Sequence, residues 1–86
     1  MTTVQERLNN FEMAQETICS AQAIYTSLFW QEKGKHSPDE AKLALWDKKY
    51  NDADDELRNL RFDDDAGIQN AIEKYTAIIR ELRQAI

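Results

Sequence analysis

Apolar residues return at helical intervals along three long stretches of the chain. From Val4 they recur at Phe11, Ile18 and Tyr25 in steps of seven, with Leu8, Ala14, Ala21, Leu28 and Phe29 filling the same side. A second series, Leu43, Trp46, Tyr50, Ala53, Leu57 and Leu60, alternates steps of three and four. A third continues the alternation through Ile68, Ile72, Tyr75, Ile79, Leu82 and Ile86, widened by Ala71, Ile78 and Ala85. Such spacing puts one apolar stripe on each of three helices, because residues three and four apart share a face. The second and third stripes have the form of coiled-coil seams, the second narrow, and the wider third predicts that helix 3 touches two neighbours.

Start and stop signals bracket each stretch. Thr3 with Glu6 three residues on has the capping-box spacing. Gly34 suits the left-handed position past a helix end, with Lys33 and Lys35 at the negative end of the dipole. Ser37-Pro38-Asp39-Glu40 supplies a cap, a first-turn proline and a capping-box glutamate. Arg58 and Arg61 close the second helix, the Asp63 to Asp65 turn caps the third, and Arg80 and Arg83 end it. The expectation is a single all-α domain over 1–86, a three-helix antiparallel bundle with helices at about 3–33, 38–61 and 65–86. Short connections make consecutive helices antiparallel, and Trp46 and Tyr50 belong inside. The first helix, roughly 45 Å long at 1.5 Å per residue, extends past the others by roughly 10 Å. Its exposed first turns, with Val4, Leu8 and Phe11, are the candidate contact of a two-fold homodimer.

Charge narrows the choice of partner. Sixteen acids against eleven bases leave the chain at −5, which argues against direct nucleic-acid binding or an anionic membrane surface. A 42% hydrophobic content supports a core, while two glycines and one proline disfavour a β-sandwich or a glycine-rich nucleotide fold. A lone Cys19 excludes an intramolecular disulfide, and neither a leader-like N-terminus nor a membrane-length apolar run is visible. The expected compartment is cytoplasmic.

Candidates for catalysis are few. His36 is the only histidine and falls in the first turn between helices. Cys19 follows the core residue Ile18, has no cation within a turn, and is expected to be a partly buried, inert thiol. No Cys or His pair has zinc spacing. The Asp63 turn has the look of a calcium loop, but the twelfth residue is Lys74 where a bidentate Glu is needed. In length and long first helix the chain resembles the three-helix chorismate mutases, which hold a dianionic substrate with several cations. Leu8 to Glu32 contains no Lys or Arg, only Glu12, Glu16 and Glu32, so that clamp is missing. A non-enzymatic protein without metal or cofactor is expected.

Two surface features remain for binding. Residues Asp47 to Asp65 hold eight acids against four bases. Asp47, Asp52, Asp54, Asp55 and Glu56 with Asp63, Asp64 and Asp65 form an acidic edge, Asp47, Asp54 and Asp55 pointing outward from the second seam. Phe29, Trp30 and Leu45 lie near one another at the first turn and form an aromatic end of the type that anchors interfaces. The leading expectation is a small acidic protein that binds and inhibits a larger partner, a basic nucleic-acid-binding protein such as a host defence complex. In general character it is similar to compact acidic inhibitors carried by phages and mobile elements, although no motif identifies a family. The competing expectation is a self-associating structural, assembly or chaperone protein.

Overall fold

The computed structural model describes residues 3–85 and contains α1 (Val4–Lys33), α2 (Glu40–Asn59) and α3 (Asp65–Ala85). Ile86, the last position of the third stripe, and the side chain of Ala85 lie outside the described residues. Thr3 caps α1 as its spacing predicts, its hydroxyl accepting the N–H of Glu6 at 3.1 Å. At the other end Gly34 is right-handed, φ −77° and ψ −6°, rather than left-handed as expected. Its N–H still reaches the Trp30 carbonyl at 3.0 Å, so the last turn closes without a positive φ.

The junction that follows is built around Glu32, whose side chain is almost fully buried. Its carboxylate accepts Lys35 Nζ at 3.0 Å and the backbone N–H of Asp39 at 3.1 Å. This clasp uses up the Ser37-Pro38 stretch, so α2 begins two residues later than expected. Asp39, not Ser37, is its cap, accepting the amides of Ala41 and Lys42 at 2.9 and 3.3 Å. At the second junction Leu60 is extended, and Asp64 caps α3 by accepting the Gly67 N–H at 2.9 Å. A Cβ on Gly67 would collide with that Asp64 carboxylate, so the glycine makes room for the cap.

The three helices form an all-α bundle in which α2 runs antiparallel to α1 and α3 returns parallel to it. Gln22–Asp54 and Glu32–Asp39 contacts set the first register, and Arg7 Nε to Asp65 at 3.2 Å sets the second. Ile18, Ala21, Tyr25, Ala53 and Tyr75 are the central buried cluster, joined by half-buried Leu57, Ala71, Ile78 and Ile79. Ala14, Ala21 and Ala53 are nearly or fully buried, and such small residues let backbones approach closely. Both short helices lie against α1, but among the described residues no α2 and α3 Cα atoms come within 8 Å. Helix 3 therefore has one backbone neighbour instead of two. Tyr25 and Tyr75 stand in the central cluster, and α2 and α3 touch through side chains such as Lys74 and Glu56. The molecule is accordingly flat, 54 × 23 × 14 Å.

Three further expectations are corrected. Tyr50 is not inside: it is 39% exposed, because the seam turns away from α1 between Trp46 and Ala53. Trp46 is half-buried, stacked on Tyr25 with centroids 6.0 Å apart. The overhang of α1 shrinks to the residues before Arg7: although α2 stops early, at Asn59, the linker places Phe62 on Phe11 and Asp65 pairs with Arg7. No helix among the described residues is long and apolar enough to cross a membrane.

Candidate functional site

The acidic edge is less uniform than its sequence. Asp52 pairs with Lys48 at 2.8 Å, and that hydrogen bond lowers the Asp52 pKa and raises that of the lysine. Arg58 bridges Asp54 at 2.8 Å and Asp55 at 3.3 Å. Glu56 holds Lys74 across to α3 and also faces Tyr75. Asp63 pairs with Arg61, Asp64 caps α3, and Asp65 pairs with Arg7. Asp54 does not point outward as expected. It is half-buried beside Ala53 and accepts Gln22 Nε2 at 3.4 Å, because Ala53 faces α1 and carries its neighbour toward it. Asp52, Asp55 and Asp63 remain exposed, as are their partners.

Asp47 stands apart from the others. It has no ion pair or hydrogen bond among the described residues, and it sits with the aromatic residues instead. Phe29, Trp30, Trp46, Tyr50 and Asp47 line a hollow of about 150 Å³ floored by Tyr25. Trp30 is 61% exposed and meets Phe29 edge-on at 5.5 Å. Lys33 Nζ lies 5.7 Å from both ring centroids. Leu45 is exposed but lines neither hollow beside Phe29, so it does not join the aromatic end. Asp47, Trp46 and Tyr50 take its place, brought together by the register of α2 on α1, which the sequence pattern did not reveal.

At the start of α1, Val4 is 72% exposed and Leu8 is partly so, whereas Phe11 is engaged by Phe62. Cys19 is exposed rather than partly buried, since one step past Ile18 rotates it about 100° off the stripe. His36 is likewise exposed in its turn. An open groove between α1 and α3 carries both signs of charge, with Glu16 facing Arg80 and Arg83. Among the described residues no group of three or more His, Cys, Asp or Glu converges on a metal position. Sequence reasoning missed Gln22 and Glu32, both buried polar residues. Glu32 could have been suspected from its place one helical turn before Lys35 and close to the next helix start.

The chain matches no known protein-family model, no curated protein and no solved structure.

Proposed function

We propose that the protein is a non-catalytic docking module that binds a basic surface of a larger protein and inhibits it by covering the site where nucleic acid would lie. The observation that supports this best is the set of exposed carboxylates Asp52, Asp55 and Asp63 on one rigid helix and its following turn. Their partners Lys48, Arg58 and Arg61 are themselves exposed. Surface pairs of this type are worth only about 0–1 kcal/mol, so the cations of a docking partner can replace them at little cost. A net charge of −5 adds long-range steering toward a positive surface. Carboxylates already ordered on a helix lose little entropy when they bind.

The test is collective, because single rim charges contribute too little to read. Asp52→Asn, Asp55→Asn and Asp63→Asn combined keep the shape and remove three charges. Affinity capture from the native cells is compared for the wild type and this variant, followed by competition with duplex DNA. The expected result is a basic partner that duplex DNA displaces, that is lost steeply between about 50 and 200 mM salt, and that the variant captures poorly. A partner held equally by the variant, with no salt or DNA sensitivity, would overturn the proposal in favour of a structural or assembly role.

A further inference from the structure

We infer that the hollow between α1 and α2 is a receptor for one arginine side chain of the basic partner, with Asp47 as its counter-charge. The inference rests on the basic-partner reading for the origin of that arginine, while the chemistry of the hollow stands on its own residues. Its walls are Phe29, Trp30, Trp46 and Tyr50, and its volume is about 150 Å³. A cavity of that size, about 150 Å³, accepts a benzene ring, and a planar guanidinium is a group of comparable size and flatness.

Two observations favour a cation over a neutral apolar group. The first is Asp47, which has no described partner although Lys48 and Lys49 adjoin it in sequence. Every other acid of the edge is already paired or capping a helix. An unpaired carboxylate beside aromatic walls offers both oxygens to a fork of N–H donors. The second is Lys33, whose ammonium lies within cation–π range of both Phe29 and Trp30. The chain's own cation has thus settled on this aromatic pair from the adjoining hollow, which shares Phe29 and Asp47 with the first. The rings present electron-rich surface that a second cation can use.

Arginine fits better than lysine. Its guanidinium is flat, is more weakly hydrated than an ammonium, and stacks on aromatic faces while donating to a carboxylate in the same plane. The exposed indole of Trp30 is the wall most available to such stacking.

The experiment titrates isotope-labelled protein with Nα-acetylated arginine amide and, separately, with Nα-acetylated citrulline amide, whose ureido side chain is the uncharged isostere of the guanidinium. The indole N–H signals of Trp30 and Trp46 report on the hollow, assigned with Trp30→Phe. The arginine ligand is expected to shift both signals saturably, with a Kd on the order of millimolar. The citrulline ligand should bind about fivefold more weakly or less, in keeping with a modest cation–π contribution at a surface site. Asp47→Asn should shrink the difference between the two ligands to the share that the rings supply, and Asp63→Asn should leave it intact. Equal shifts by both ligands, or loss of the preference in Asp63→Asn as large as in Asp47→Asn, would overturn the inference. The outcomes separate from those of the docking proposal. Arginine preference with partner capture unaffected by the Asp52, Asp55 and Asp63 changes leaves the hollow standing and removes that proposal. Loss of capture in that variant without arginine preference does the reverse.

Discussion

The ring of Phe62 meets the ring of Phe11 edge-on, with centroids 5.9 Å apart and planes inclined at 72°. Phe62 belongs to the linker between α2 and α3, so the contact ties that linker to the early part of α1. It also removes Phe11 from the surface strip that a second chain could use. Val4 and Leu8 are what remains of that strip, far less than the roughly 800 Å² per partner of a stable interface. Sedimentation at micromolar concentration should therefore give the mass of one chain. A two-chain mass that Val4→Asp with Leu8→Asp returns to one chain would restore the homodimer, and Phe62→Ala should then promote it by freeing Phe11.

The second seam should show graded sensitivity. Trp46 is half-buried against Tyr25, so Trp46→Ala should cost about 2–3 kcal/mol, below the 3–5 usual for a fully buried aromatic. Tyr50→Ala should cost less than about 1 kcal/mol, as for other exposed positions. Ile18→Ala, at a fully buried site, should cost about 2–5 kcal/mol. Urea denaturation of the three variants gives the order directly, and a Tyr50 loss as large as that of Trp46 would contradict the exposed placement.

Gly67 and Asp64 should be energetically coupled. Replacing a helical glycine by alanine ordinarily stabilises by about 1 kcal/mol. Here the new methyl displaces the Asp64 carboxylate and forfeits a cap of similar worth, about 1 kcal/mol. Gly67→Ala alone should thus change stability little. In an Asp64→Ala background the same change should stabilise by about 1 kcal/mol. Thermal melts of the four chains of the cycle measure this, and additive effects would mean the cap does not form.

Acid should loosen the junction between α1 and α2. The Lys35 hydrogen bond, then the Asp39 amide, hold the Glu32 pKa below its ordinary 4.5. A carboxyl with a depressed folded pKa contributes stability that is complete above its unfolded value and lost as the pH falls through the lower folded one. Stability should therefore decline below about pH 4.5, and Glu32→Gln should flatten that decline. The melting temperature of both chains from pH 7 to 2.5 provides the check, and an unchanged acid limb would remove Glu32 from the account.

Base should act on the core. Burial first, then the charges of Asp52 and Glu81, raises the Tyr25 pKa. Burial, then a hydrogen bond to Glu56 and its charge, raises that of Tyr75 further. For groups raised above the ordinary 10.0, stability is present below that value and lost as pH rises toward the folded one. Unfolding should set in above about pH 10 together with phenolate absorbance. Tyr75→Phe should shift the transition to higher pH, and an identical transition would exclude this cause.

Much of the local structure is legible in the residues alone. Thr3, Glu6 and the Asp63 to Asp65 turn mark helix starts by chemistry that acts within one turn, and the periodic stripes place Ile18, Ala53 and Ile68 in the core by spacing. The number, order and direction of the helices follow, since a short connection between stiff rods leaves few arrangements. Other features depend on which rotation and height one helix takes against another. Glu32 clasping Asp39 moved a cap by two residues, and α2 and α3 each pack on α1 without closing on one another. Register on α1 drew Asp54 toward Gln22 and left Asp47 among the rings of Phe29, Trp30 and Trp46. Periodicity specifies a face of a helix but not which residue of the next helix stands opposite. That choice is made by side-chain volume and hydrogen bonding across the interface, and only the assembled bundle expresses it.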